Sequence, residues 1–177
     1  MKKLIETVSM IFLSMWICSC ASKPPVVIPP EWRFEKNAVH VHIKADPQLN
    51  LYEGSAHALH LCLYQLRDPN AFQQLIEERT GLSTLLECSR FDPSITSSKR
   101  FVMMPNQEIW ESLDRAEGSK YVGVVAGYYQ LQKERTSLLV SVPVVQVKKE
   151  KTILLVPNRL DLDLYLWPQQ IQEIRGR

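Results

Sequence analysis

The chain predicts a mainly β protein, a sandwich of two antiparallel sheets packed face to face with two short helices inserted. Leu160, Leu162, Leu164 and Leu166 alternate with Arg159, Asp161, Asp163 and Tyr165. Val39, Val41 and Ile43 alternate in the same way with His40, His42 and Lys44. A period of two puts the apolar side chains on one face of a half-buried strand. No strand–helix–strand rhythm supports a parallel α/β fold. Composition agrees: 11 prolines and only 6 glycines accompany many Val, Leu and Tyr, which suit pleated surfaces. Stacked antiparallel sheets bury such alternating faces best.

In chain order, residues 20–31 come first. Pro24, Pro25, Pro29 and Pro30 disfavour a regular ladder and predict an extended polyproline spacer. A strand begins at Ala38. Asp46–His57 is a polar loop broken by Pro47 and Gly54. Ala58–Leu66 is apolar on both faces, as a central strand is. Arg67–Asn70 stops it, and Asn70 is placed to cap a helix from Ala71 with Phe72, Leu75 and Ile76 on one face. Gly81 ends that helix, and Leu82–Glu87 adds a further turn or two. Arg100–Met104 is a short strand closed by Pro105. Asn106 then caps a second helix carrying Ile109, Trp110 and Leu113. Lys120–Tyr129 is an apolar strand whose Gly123 and Gly127 admit close approach of another backbone. Ser137–Val147 reads as one strand, with Pro143 marking an edge or a bulge. Thr152–Val156 and Asn158–Trp167 complete the sheets. Trp32, Trp110 and Trp167 read as packing residues, the first locating the spacer on the domain. Lys148-Lys149-Glu150-Lys151 reads as a solvated hairpin tip.

The first residues have a different grammar. Lys2 and Lys3 precede an almost unbroken apolar run, residues 7–17, and small residues follow it. A basic start, an apolar stretch of roughly ten residues and a small-residue end read as an export signal. The run is too short to cross a bilayer, which takes about 20 apolar residues. The hexapeptide Ile17-Cys18-Ser19-Cys20-Ala21-Ser22 resembles the lipobox of bacterial lipoproteins. By that resemblance Cys20 receives a diacylglycerol on its thiol, the chain is cut after Ser19, and the new amine is acylated. Cys18 is the rival acceptor, but it would put bulky Ile17 just before the cut. Ala21 after the cysteine implies sorting to the outer membrane. The resulting division is a lipoprotein signal peptide (1–19), a lipidated proline-rich tether (20–31) and a periplasmic β-sandwich domain (32–177).

The full chain has 21 basic and 19 acidic residues. Loss of Lys2, Lys3 and Glu6 with the leader brings the mature protein to near neutrality. That balance gives no long-range attraction for nucleic acid. Of the 4 cysteines, Cys62 and Cys88 remain in the domain. They are a possible disulfide in an oxidising compartment, or two buried thiols behaving as small hydrophobes. His40, His42, His57 and His60 fall in one stretch. If the second strand paired with the first, His40, His42 and His60 could gather as zinc ligands. Without a nearby carboxylate or open pocket, they read instead as solvent-facing side chains, and no metal is assigned. Asp161 and Asp163 could suggest paired-carboxylate hydrolysis, but strand alternation accounts for their spacing. No nucleophile elbow, zinc-protease helix or phosphate loop occurs, so neither a catalytic residue nor a small-molecule substrate is assigned.

Taken in order, several features resemble a known family. They are the lipobox at Cys20, Leu49-Asn50 before the second strand, Leu63-Tyr64-Gln65-Leu66 followed by Asp68 and Phe72, Leu75, the strand ending at Pro105, Leu113, and Tyr121–Ala126. Together they are similar to the outer-membrane lipoproteins of type VI secretion, the TssJ (SciN/VasD-like) family. Asn106 departs from the glycine usual there, but asparagine also tolerates a left-handed backbone. The resemblance implies a transthyretin-like sandwich without enzymatic activity. It has no cofactor beyond the acyl chains on Cys20. It also implies docking of the periplasmic C-terminal region of the inner-membrane protein TssM. By the same resemblance the contact loop maps to Asp46–His57, at Gln48, Leu49, Asn50, Leu51, Tyr52 and Glu53. Rival readings are a pilotin or accessory lipoprotein of another secretion machine, and a periplasmic metal-dependent hydrolase.

Overall fold

The computed structural model describes residues 25–174. The signal peptide, Cys20 and the start of the tether lie outside the described residues. Two four-stranded sheets face each other. The first runs β11 (Ile171–Glu173), β10 (Leu160–Leu166), β2 (Glu35–Ala45), β5 (Glu108–Arg115); the second runs β4 (Ile95–Met103), β3 (Leu59–Leu66), β6 (Tyr121–Ala126), β7 (Ser137–Ser141). A third, small sheet holds β1 (Val26–Ile28), β9 (Thr152–Pro157) and β8 (Val144–Lys149).

The two alternating stretches of the sequence are next to each other. β2 and β10 pair in parallel, with Val39, Val41, Ile43 and Ala45 in register with Leu160, Leu162, Leu164 and Leu166. All eight point inward and meet Leu59, Leu61, Leu63, Val122, Val124, Phe101 and Met103 of the second sheet. Each fully buried large apolar side chain contributes about 1.5–3 kcal/mol, which makes this interface the main source of stability. The other ladders of the two large sheets are antiparallel. Within these two sheets the expected antiparallel pairing thus fails at one ladder, where strands from opposite ends of the domain meet without a hairpin.

β3 is apolar on both faces because the second sheet is covered twice. Its outer face carries Cys62, Tyr64 and Leu66, which pack with Val125 under Phe72, Leu82 and Leu85. These last three come from the helices Asn70–Glu77 and Gly81–Leu85. Asn70 is the first residue of its helix rather than its cap. The Asp68 carboxylate instead accepts the Asn70 N–H at 2.8 Å. Gly81 opens the second helix rather than merely ending the first. A disulfide joins Cys62 of β3 to Cys88 just beyond the helices, with Cα atoms 5.4 Å apart. Closing a loop of 26 residues removes unfolded-chain entropy worth about 3–4 kcal/mol. It also fastens the helical layer to the sheet.

Three expected elements differ. Residues 106–113, read as a capped helix, form the strand β5 after a turn in which Asn106 has φ 62°. Ile109, Glu111, Leu113 and Arg115 face inward while Trp110 stands 73% exposed, so Trp110 is no packing residue. Trp167 is also exposed. Ser137–Val147 is two strands in different sheets, β7 and β8, and the chain crosses between them at Val142-Pro143. A proline lacking an N–H suits a crossing where the ladder must end. The proline-rich spacer, finally, contains β1, which pairs in parallel with β9.

Residues 32–35 are pinned to the domain. Gly118 N–H donates to the Trp32 carbonyl at 2.7 Å. The buried Arg115 guanidinium lies over the Trp32 ring, pairs with Glu35 at 2.8 Å and donates to the Arg33 carbonyl.

The Tyr64 hydroxyl donates to the Leu85 carbonyl inside the helix–sheet layer, and burial pushes its pKa up to about 12. Burial first, and the Asp46 charge second, push Tyr128 up as well. Below the ordinary tyrosine pKa near 10 both states hold the proton and the burial is fully stabilising. Above it the unfolded chain loses the proton first, so each such tyrosine costs about 1.4 kcal/mol of stability per pH unit. Denaturation midpoints are therefore expected to fall between about pH 10 and 12. The Tyr64→Phe variant is expected to show a shallower fall, and an unchanged slope would show that Tyr64 is not the group responsible.

Candidate docking surface

The loop Asp46–His57 is held firmly at its base. Asp46 donates its N–H to Leu166 and accepts from Asn106 and Leu49 through its carbonyl. Its carboxylate accepts the Gln48 N–H at 2.8 Å and the Tyr165 hydroxyl at 3.2 Å. One acid therefore ties β2, β10, the turn before β5 and the loop together. His57 N–H donates to Leu49, and Leu51 N–H to Pro168. Asn50, at φ 49°, donates its side-chain amide to the Ala58 carbonyl and accepts the Tyr129 N–H at 2.9 Å. The tip is a tight hairpin in which Tyr52 and Ser55 exchange both backbone hydrogen bonds at 2.9 Å. Glu53 and Gly54 supply the two left-handed positions, φ 48° and 78°, that such a two-residue turn requires.

The six residues that the sequence assigns to this surface separate into two groups. Leu49 is completely buried in the main core and Asn50 is nearly so, so both side chains are turned towards the domain. Gln48, Tyr52 and Glu53 are exposed and Leu51 is half-buried. Tyr52 stacks on Tyr129 with ring centres 4.3 Å apart, and His57 meets Tyr129 edge-on at 5.1 Å. Tyr52 is 44% and Tyr129 55% exposed, so two aromatic faces stand together at one end of the sandwich. The sequence pattern puts Tyr129 at the end of a strand and gives it no part in this surface. Its signal is the Tyr128-Tyr129 pair after Gly127, where the strand has already ended and one ring turns in while the other turns out.

The histidines do not converge. His60 lies on β3 of the second sheet, while His40 and His42 lie on β2 of the first. Each of the latter has its own carboxylate from the facing strand: His40 with Asp161 at 3.3 Å, His42 with Asp163 at 3.0 Å. His42 also reaches Glu108 at 2.7 Å and stacks on Trp110 at 3.6 Å. That hydrogen bond holds the Glu108 carboxyl below its ordinary range. Asp161 is paired in addition with Arg159 at 2.9 Å. Among the described residues no three His, Cys, Asp or Glu side chains are placed to hold a metal. The outer face of the first sheet is a ladder of cross-strand pairs.

The family model described as "Type VI secretion lipoprotein, VasD, EvfM, TssJ" matches residues 37–164. Among solved structures, the T6SS lipoprotein TssJ1 from Pseudomonas aeruginosa superposes with a TM-score of 0.59 at 23% identity, over 84% of this chain and 99% of that one. Serratia marcescens Lip, described as a membrane bound component of the type VI secretion system, gives 0.57 at 14% identity over 78% and 98%. A chain of a type VI membrane complex gives 0.56 at 16% identity over 77% and 96%. At these identities the likeness to the solved structures is one of fold. A search of curated proteins finds no match.

Proposed function

We propose, from the premise that this chain belongs to the type VI secretion lipoprotein family, that it anchors a secretion envelope complex at the outer membrane and docks TssM through the loop Asp46–His57. The family is one of secretion lipoproteins, not enzymes. Acyl chains on Cys20 fix one end of the molecule, and the loop with its aromatic neighbour recruits the periplasmic part of TssM.

The observation that carries the docking half is the Tyr52–Tyr129 stack beside exposed Gln48 and Glu53. Aromatic anchors dominate interface energetics when they are already fixed before binding, since little ordering entropy remains to be lost. Here the hairpin tip, Asp46 and Asn50 hold the platform in place. Leu49 and Asn50 act by supporting the loop, and Gln48, Leu51, Tyr52 and Glu53 make the contact.

The test is binding of the purified TssM periplasmic region to the Tyr52→Ala/Tyr129→Ala double variant. Two anchors at about 2 kcal/mol each predict a loss near a thousandfold. Thermal stability is expected to change little, because both rings stand at the surface. Trp110→Ala, on the outer face of the first sheet, serves as the control and leaves binding intact. Full affinity in the double variant would remove the loop from the interface.

A further inference from the structure

The small sheet is the least covered part of the domain. All six residues of β8 are exposed, as are all three of β1, with Val26 at 64% and Val145 at 41%. The end of β8 and the turn into β9 carry Lys148, Lys149 and Lys151 around the exposed Glu150, and among the described residues none of the three lysines has a salt-bridge partner. A solvated tip would account for the lysines alone. It does not account for the strand beside them.

β1 enters the sheet at that turn. Val26 is in register with Thr152, which is itself opposite Lys149, and the Val26 N–H donates to the Lys151 carbonyl at 3.0 Å. The chain leading back to Cys20 therefore leaves the domain beside the lysines. Six residue steps separate Val26 from Cys20, and an extended chain covers at most about 3.6 Å per step, roughly 20 Å in all. Wherever the acyl chains insert, the basic turn is within that reach of the lipid surface. Because β1 is paired, the reach is measured from a fixed point on the domain and not from a loose tether.

We propose that Lys148, Lys149 and Lys151 rest on the anionic phospholipid headgroups of the membrane that holds the acyl chains, with the exposed valines of β1 and β8 at the interface. This gives the domain a second contact and hence a set orientation relative to the bilayer. Near an anionic surface each lysine changes partitioning roughly fivefold, so reversing three charges moves the tip's lipid contact by at least about a hundredfold. The proposal rests on acylation at Cys20.

The test uses the full lipidated chain with an environment-sensitive fluorophore at position 150, in phosphatidylcholine vesicles with and without phosphatidylglycerol. Flotation is expected in both, and a blue shift with quenching by brominated lipid only when phosphatidylglycerol is present. The combined Lys148→Glu, Lys149→Glu and Lys151→Glu variant is expected to float yet lose the shift. So is the unaltered protein in molar salt, where screening shortens to about 3 Å. Flotation with an aqueous signal in both vesicles would overturn the headgroup contact and leave the anchor standing. A shift that survives charge reversal, or that scales with protein density as contact between copies would, also overturns it. Failure to float in either vesicle would overturn the anchor and the proposal together.

Discussion

Cys20→Ser is expected to release the protein from the membrane fraction, to leave a folded domain that binds TssM in solution, and to stop secretion. The expected effect is all-or-none for a physical reason. Each buried methylene of an acyl chain contributes about 0.8 kcal/mol, so several chains together hold effectively permanently, whereas protein contacts alone do not. The lysine turn cannot substitute, because three charges at about 1 kcal/mol each are far weaker than the acyl chains. The core is built from residues between Val39 and Ile171, so the melting temperature is expected to stay where it was. Cys18→Ser, in contrast, is expected to leave attachment unchanged. Fractionation and a secretion assay of both variants decide the matter, and membrane retention of Cys20→Ser would defeat the anchoring account.

Gly81→Ala is expected to be the most damaging glycine-to-alanine change among the described residues. A Cβ there would lie 1.7 Å from the Leu75 carbonyl oxygen. That atom is backbone and cannot swing aside, so the step between the two helices must reopen. The cost is expected to exceed the ~1–3 kcal/mol typical of overpacking, lowering Tm by about 6 °C or more. Two other glycines set the scale. At Gly123 the added Cβ meets the Phe72 ring at 2.6 Å, and a ring can shift, so alanine costs about 1–3 kcal/mol. At Gly54 it meets nothing, and only the strain of φ 78° remains, about 1 kcal/mol. Thermal melts of the three variants are expected in that order. A Gly81 variant as stable as the Gly54 variant would show that the helical layer is not packed as described.

Much of the fold is legible because one face of each sheet is buried and the other is not. Leu160–Leu166 can be assigned from alternation alone, and its partner β2 has the same signature. β5 misleads for the opposite reason. Ile109, Trp110 and Leu113 fit a helical face, but the strand sits at the edge of its sheet, where Trp110 can stand outside stacked on His42. Pairing with β2 overrides a weak local preference. β1 is invisible in the sequence because prolines flank it and three residues carry no period. At the candidate site, the exposed part of the loop is accessible from residue type, yet Leu49 is not separable from Leu51. Both are apolar residues in a polar loop, and only the fold decides which one turns inward. Tyr129 comes from a segment 79 residues distant from Asn50, whose side chain fixes it, a juxtaposition without trace in local sequence.

The parallel ladder between β2 and β10 has a temporal consequence. The imidazole of His42 meets the carboxylate of Asp163 across 121 residues of intervening chain, and the whole first sheet depends on that pairing. Contacts so remote in sequence are paid for in loop-closure entropy before they return anything, which makes folding slow and late. A polypeptide crossing a membrane with its N-terminus leading presents β2 long before β10 emerges. The first sheet therefore cannot close until β10 has followed β2 across. The sandwich locks only when Leu160–Leu166 arrives.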